Sequence, residues 1–219
     1  EHAAAAGTEL ISDHITQLNL SKKPFEALGD SGTLYTSDAV VLATGAQAKW
    51  LGLESENNFK GFGVSACATC DGFFYRGAEI VVVGGGNTAV EEALFLTKFA
   101  SKVTLVHRRN SLRAEKILQN RLHNNEKIDV LWYHEIEEVL GTTSPKSVEG
   151  VRVRNVLTNE VGVISCKGLF VAIGHAPASE LLINQLDVHM GGYVVTKPDS
   201  TETSIPGVFA AGDLTDYKY

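Results

Sequence analysis

The stretch Glu79-Ile80-Val81-Val82-Val83-Gly84-Gly85-Gly86-Asn87-Thr88-Ala89-Val90-Glu91-Glu92-Ala93-Leu94 decides the fold. An acid followed by four β-branched residues suits a strand buried on both faces. Three glycines break that run. After them Val90, Ala93, Leu94 and Phe99 recur at helical spacing, with Glu91 and Glu92 near the helix start to complement its dipole. Gly84, Gly86 and Ala89 fit the G-x-G-x-x-A pattern of a dinucleotide-binding turn, between a strand and a helix as that pattern requires. Gly84 permits the sharp turn, Gly86 lets a pyrophosphate approach the backbone, and Ala89 lets the helix pack close to the strand. The free N–H groups of the helix start then face the phosphates.

Working outward, a second strand over 102–106 ends about 20 residues on, where an NAD site carries an acid for the ribose hydroxyls. Here stand His107, Arg108 and Arg109, then Arg113. Guanidinium forks match a 2′-phosphate in charge and geometry, so the pattern predicts NADPH over NADH. A helix is expected over 114–122, with Ile117, Leu118 and Leu122 on one stripe, and a strand over 128–133. Residues 135–140 fit neither pattern, 150–157 and 160–165 read as a hairpin, and 168–173 as a buried strand ending at Gly174. This β-α-β-α-β order with an antiparallel insertion predicts an α/β dinucleotide-binding half-sheet. On the amino-terminal side, 9–20 and 33–37 read as strands of a small antiparallel meander. Ala39-Val40-Val41-Leu42-Ala43 reads as a strand buried on both faces, ending at Thr44-Gly45. Residues 46–63 read as a loop-like linker, and 193–196 as a strand after the Gly191-Gly192 turn. Gly207-Val208-Phe209-Ala210-Ala211-Gly212-Asp213 reads as a last buried strand ending in an acid. Small residues at two strand ends, Thr44-Gly45 and Gly212-Asp213, let a bound cofactor approach, and Asp213 can accept from a cofactor's hydroxyls.

Composition sets the outer bounds. The 219 residues carry 44% hydrophobic and 21% charged side chains and a formal net charge of −7. That balance argues against nucleic acid and anionic membranes as partners, both of which want clustered Lys and Arg. No apolar run reaches the ~18 residues a bilayer span needs. Three cysteines exclude a disulfide-rich secreted scaffold and point to a reducing, cytoplasmic compartment. Two of them form Cys67-Ala68-Thr69-Cys70, followed by Asp71. No second ligand pair stands at zinc spacing, so no metal is expected. A chance pair of thiols and a redox pair remain; the redox reading is preferred, with Asp71 placed to shuttle the proton that thiol–disulfide exchange moves. Cys166, alone in a strand, reads as a small buried hydrophobe. A hydride carrier and a dithiol need an intermediary, which is ordinarily a flavin.

Ser65-Ala66-Cys67-Ala68-Thr69-Cys70-Asp71-Gly72, Gly84 to Ala93, His107-Arg108-Arg109 with Arg113-Ala114, and Gly207 to Asp213 follow one another in a family's order and spacing. Over essentially all its length the chain resembles the bacterial low-molecular-weight thioredoxin reductases, of the FAD- and NADPH-dependent pyridine nucleotide-disulfide oxidoreductases. The resemblance implies two Rossmann-like, three-layer ββα domains. An NADPH domain (51–176) with the redox CxxC is inserted into a split FAD domain (1–50 and 177–219). It also implies a homodimer, with electrons passing from NADPH through FAD and the Cys67–Cys70 disulfide to thioredoxin. Carried over, Cys67 is the thiol that attacks thioredoxin, Cys70 the one beside the flavin and Asp71 the acid–base. Gly84, Gly85, Gly86, Asn87, Thr88 and Ala89 hold the dinucleotide, with His107, Arg108, Arg109 and Arg113 at its 2′-phosphate. Thr44, Gly45, Ile173, Gly174, Gly212 and Asp213 are the remaining cofactor residues, Asp213 being the FAD-binding acid.

The family's first glycine-rich fingerprint is expected before residue 1 and its last helix after Tyr219. The chain is therefore read as a fragment of a longer enzyme, or one whose ends were never seen; as a molecule of 219 residues it is expected to bind FAD weakly or not at all and to show little catalysis. The nucleotide domain is of a size to fold alone. Crossings near Gln47-Ala48-Lys49 and His175-Ala176-Pro177 are expected to act as a hinge that presents the flavin first to nicotinamide, then to the disulfide. A peroxiredoxin-reducing flavoprotein shares most of these motifs, and a truncated, non-catalytic NADPH-binding module is the reading from another class. A ferredoxin–NADP reductase relative would lack the dithiol.

Overall fold

The computed structural model describes residues 2–189 and 191–216. The chain opens with a helical turn, α1 (His2–Ala5), and the antiparallel strands β1 (Ile15–Asn19), β2 (Phe25–Gly29) and β3 (Leu34–Ser37). Then come β4 (Val40–Leu42), β5 (Ala46–Ala48), α2 (Glu54–Phe59), β6 (Val64–Ser65) and α3 (Ala68–Asp71). A 3₁₀ turn over Gly72–Tyr75 leads to β7 (Glu79–Gly84), α4 (Asn87–Leu96), β8 (Lys102–His107), α5 (Lys116–His123) and β9 (Ile128–Trp132). The antiparallel β10 (His134–Thr143), β11 (Lys146–Asn155) and β12 (Val161–Ser165) precede β13 (Gly168–Ala172), β14 (His175–Pro177) and β15 (Val208–Ala210). These elements gather into two compact units, Glu1–Gln47 with His175–Tyr219, and Ala48–Gly174.

The second unit is built on a five-stranded parallel sheet of order β6-β13-β7-β8-β9. Strand β7 shows why the layers form. Its alternate residues Ile80 and Val82 pack with Ala89, Val90, Ala93 and Leu96 of α4 and with Leu118 and Leu122 of α5. The intervening Val81 and Val83 pack with Ile136, Val139, Val148, Val151 and Val153 of the antiparallel layer. These four side chains of β7 are buried, which favours the fold by roughly 1.5–3 kcal/mol each. A strand apolar on both faces needs a layer on each, and the result is α on one side and β on the other. The register aligns β13, β7 and β8 so that Ala172, Gly84 and His107 end at one edge of the sheet.

In the first unit β15 pairs in parallel with β4, Val208 opposite Val40 and Ala210 opposite Leu42. Its core joins Leu20 and Phe25 to Leu42, Leu182, Leu186, Val194, Val208, Ala210 and Leu214. Strands β5 and β14 pair with each other.

Several local expectations are corrected. Residues 46–63 are no plain linker: they hold β5 and α2, the latter tied by the fully buried Glu56, whose two carboxylate oxygens accept from the Leu51 and Gly52 N–H groups. Residues 193–196 form no strand but a single bridge, Val188 to Val194. Strand β4 is not buried on both faces, since Val41 is 69% exposed while Leu42 faces the core. Residues 135–140, which fitted no pattern, are strand within β10. Helix α5 starts at Lys116 and leaves Ile117 in solvent, Leu118 and Leu122 alone facing inward. Helix α4 starts at Asn87, so Glu91 and Glu92 fall in its second turn rather than its first.

Candidate functional site

At the carboxyl edge of the parallel sheet lies a cleft of about 610 Å³, lined by Gly84, Gly85, Gly86, Thr88, His107, Arg108, Arg113, Ile173 and Gly174. Each glycine of the turn meets a different constraint. A Cβ on Gly84 would stand 2.3 Å from the Ala172 carbonyl oxygen and 2.6 Å from the Ala89 Cβ. One on Gly85 would stand 2.2 Å from the His107 ring. One on Gly86 would meet nothing within 4 Å. Gly84 and Gly85 are small because protein fills the space, whereas the space beside Gly86 is open. No side chain caps the amino end of α4 at Gly86, so its first N–H groups are available to an anion. An open glycine, an uncapped helix start and two guanidinium groups on the wall fit a phosphate-rich dinucleotide.

The loop after β8 folds back over this turn. The Arg113 N–H donates to the Gly85 carbonyl at 2.7 Å, and the Glu115 N–H to Asn87 Oδ1 at 2.9 Å. His107 is 7% exposed and its Nε2 donates to the Ser111 carbonyl at 3.0 Å. Burial holds its pKa below the ordinary value of 6.5, and the charges of Arg109 and Arg113 act the same way, against hydrogen bonds to Ser111 and Gly84. The ring is thus a neutral brace under the loop. Arg108, Arg109 and Arg113 are exposed, and Arg109 does not line the cleft. Asn87 is committed to the loop, and Ala89 is fully buried beneath Gly84.

In the same unit, Cys67 and Cys70 are joined in a disulfide, with Cα atoms 5.3 Å apart. Cys67 is the N-cap of α3, and its Sγ accepts from the Cys70 N–H at 3.2 Å and lies 3.4 Å from the Thr69 hydroxyl. Cys70 is exposed and Cys67 half-buried. Asp71 ends α3; after burial, its negative charge is the next cause that raises the pKa of Tyr75. Phe73 and Phe74, directly after this turn, are 61% and 78% exposed. Cys166 is buried, and burial pushes its thiol up to about 12, so it stays protonated and inert.

The remaining expected residues lie in the first unit. Because β4 and β15 run parallel, Thr44-Gly45 and Gly212-Asp213 leave adjacent strand ends, and the Ala211 N–H donates to the Leu42 carbonyl. Gly45 and Gly212 have positive φ, and a Cβ on either would meet nothing within 4 Å. The Thr44 hydroxyl donates to the Ala178 carbonyl at 2.7 Å, and Asp213 is exposed. This open, small-residue edge fits a bulky cofactor.

Sequence reasoning missed other residues that line the cleft, among them Trp50, Leu51, Leu53, His134, Glu135 and Ile136. They come from the supposed linker and from the start of β10, neither of which carries a local motif. One signal was present: Glu56 is an acid in a short segment ending in the buried Phe59.

The profile of the family described as pyridine nucleotide-disulphide oxidoreductase matches residues 2–219. A thioredoxin reductase of Rickettsia conorii is 54% identical over 217 residues, covering 99% of this chain and 70% of that protein. One from Coxiella burnetii is 49% identical over 226 residues, covering 100% and 70%. In structure, thioredoxin reductase of Lactococcus lactis superposes with a TM-score of 0.83 at 34% identity, covering 100% of this chain and 71% of that one.

Proposed function

This chain belongs to the pyridine nucleotide-disulphide oxidoreductase family, and from that premise we infer how its residues share the work of an NADPH-dependent, FAD-containing thioredoxin reductase. When bound, NADPH and FAD supply two electrons as hydride, which sulfur chemistry alone cannot take up efficiently. The unit Ala48–Gly174 holds NADPH. Gly84, Gly85, Gly86 and Thr88 with the start of α4 cradle its pyrophosphate, over an Ala89 that lets the helix approach. Arg108 and Arg113, with Arg109 on the outer side, grip the 2′-phosphate. Asn87 and the neutral His107 hold the loop that carries those arginines, and Ile173 and Gly174 line the far wall. The other unit holds FAD, with Thr44, Gly45, Gly212 and Asp213 at the strand ends that meet it.

The working group is the Cys67–Cys70 disulfide. Two electrons and one proton convert it to one thiol and one thiolate, and Asp71 delivers the proton. The Cys67 thiolate attacks the disulfide of oxidised thioredoxin, forms a mixed disulfide and expels a thiolate. Cys70 returns its proton to Asp71 and attacks the Cys67 sulfur as a thiolate, which restores the S–S bond and releases the second thiolate of thioredoxin, while the proton passes from Asp71 to the thiolate expelled first. The single observation behind this reading is that two thiols three residues apart are bonded to each other in the unit that bears the dinucleotide cleft. Family likeness also supports a cytoplasmic homodimer, which sedimentation tests. Among the described residues no helix is long and apolar enough to cross a membrane.

The test separates the thiols. Cys67→Ser and Cys70→Ser should each lower NADPH-driven thioredoxin reduction below about 1% of the unmodified rate, because removing one member of a concerted pair removes the whole pathway. Cys70→Ser should also accumulate a mixed disulfide with thioredoxin on the surviving Cys67. Retained turnover in either variant contradicts the pathway, and a trap formed only by Cys67→Ser reverses the two roles.

A further inference from the structure

Helix α4 joins the two halves of the second unit's chemistry. Its amino end opens on the cleft, and its flank carries the disulfide turn. Ala68, 1% exposed, sits in one cluster with Ala89, Val90, Ala93 and Leu96. A Cβ on Gly72 would come within 2.9 Å of Leu96. Thus α3 and its 3₁₀ extension lie tight on α4. Glu92 shares the buried stripe, three residues after Ala89 and four before Leu96. Among the described residues its Oε2 is the buried side-chain oxygen with no hydrogen-bond partner. An oxygen left this way makes the charged carboxylate costly and favours the protonated acid. Burial pushes its pKa up to about 7, with the Ala68 N–H drawing it back down. Ala68 is the residue next to Cys67.

The titratable and charged groups on the elements around α4 are Asp71 on α3, Tyr75 on the 3₁₀ turn, Glu79 on β7, Lys102 and His107 on β8, and Lys116, Arg121 and His123 on α5. Glu91 neighbours Glu92 on α4 itself and is exposed. None of these forms an ion pair with Glu92, and none is among the causes of its shift. The group is therefore free to answer to a new charge on the adjoining disulfide turn.

We propose that Glu92 is a positioning residue for the Cys67–Cys70 couple, its carboxyl taking up a proton when the disulfide is reduced and releasing it when the disulfide re-forms. The inference rests on the reading that Cys67–Cys70 is the working couple. Oxidised, the turn holds an S–S bond and Glu92 a carboxylate. Reduction breaks that bond with two electrons, derived from NADPH, and one proton, leaving a thiol and a thiolate. The thiolate's charge raises the proton affinity of Glu92, which takes a second proton from solvent. Two electrons and two protons then enter together, with no net charge added to the turn. Re-oxidation by a substrate disulfide carries the two electrons away and returns the Glu92 proton to solvent.

The experiment equilibrates the chain with dithiothreitol redox buffers from about pH 5.5 to about pH 9, quenches by alkylation and counts thiols by mass, for the unmodified chain and for Glu92→Gln. Glutamine mimics the protonated acid. The two reduction constants should agree at the acid end and separate through neutrality. Above about pH 8 the unmodified disulfide should be at least about threefold harder to reduce than the variant's. A ratio that stays constant across the whole range overturns the assignment, since a merely structural role shifts the constant equally at every pH. A second measurement needs no variant. The reduced-minus-oxidised infrared spectrum at about pH 7.5 should gain a protonated-carboxyl C=O band, and its absence also overturns the proposal. Because dithiothreitol drives the reduction, neither readout uses NADPH or FAD. Failure here leaves the dithiol pathway standing, whereas thioredoxin turnover that survives alkylation of both thiols removes the premise instead.

Discussion

The two working regions of the second unit are built by opposite means. The cleft is made of backbone: an open glycine, an uncapped helix start and arginines that stand in solvent. The disulfide turn is made of packing: Ala68 and Gly72 pressed on α4, with a buried carboxyl beneath. Changes at the open positions of the first should therefore alter affinity and leave the fold alone. Changes in the second should alter stability and redox balance together.

The largest expected effect lies in the cleft. Gly86→Val puts a branched side chain where a phosphate is proposed to sit, yet its backbone is extended and its Cβ meets nothing. NADPH binding should fall about 100-fold, worth ~3 kcal/mol, while thermal stability drops by no more than about 1 kcal/mol. Titration calorimetry beside a melting curve checks both, and a variant that melts early without losing affinity breaks the contrast. Next come Arg108→Gln and Arg113→Gln, each removing one proposed charge-assisted contact to the 2′-phosphate. Each should lower the preference for NADPH over NADH by about 10- to 100-fold in kcat/KM, leaving NADH use unchanged. A selectivity that does not move would assign the phosphate contact elsewhere.

Gly84→Ala sharpens the comparison from the other side. It lies only two residues from Gly86, but its Cβ would strike Ala172 and Ala89. Here stability, not affinity, should suffer, by about 1–3 kcal/mol in denaturant unfolding. The smallest effect belongs to Glu92. Its carboxyl titrates near 7 in the fold against an ordinary value of 4.5. Between those values the folded state holds the extra proton, so the group's contribution falls as pH rises through that window. Glu92→Gln should stabilise the oxidised chain by about 1–2 kcal/mol at pH 8, after allowance for solvent screening, and leave it unchanged near pH 4.5. Equal effects at both pH values would place the burden on packing instead.

The sequence made β7, α4 and β8 legible because a β-branched run flanked by glycines admits few other structures. Turn glycines, arginines and the cysteine pair stand out in the sequence because the spacing of each suggests a mechanism, and the structure brings the glycines, Arg108 and Arg113 to one cleft and bonds the cysteines. Helix α2 was not: its apolar content is essentially Phe59, and what holds its approach is the inward Glu56 carboxylate, which hydropathy counts as a surface residue. Strand β10 was obscured by four acids, Glu135, Glu137, Glu138 and the neighbouring Glu149 across the hairpin, which pattern reading takes for loop or helix surface. Three of them, Glu135, Glu137 and Glu138, instead pair with Arg154 and Arg152 on β11. Glu92 reads in the sequence as an acid near the helix start that complements the dipole. Its place between Ala89 and Leu96 on one stripe was visible in the spacing, but that the stripe continues under α3 was not.

The most direct test follows the sulfurs through a single turnover. The chain, with FAD in excess, is mixed anaerobically with one equivalent of NADPH, quenched with an alkylating mass tag and digested. Tags are expected on Cys67 and Cys70 in step with NADPH oxidation, should disappear when oxidised thioredoxin is added, and should be absent from Cys166 at every stage. Thioredoxin thiols appearing while Cys67 and Cys70 remain bonded throughout would contradict it.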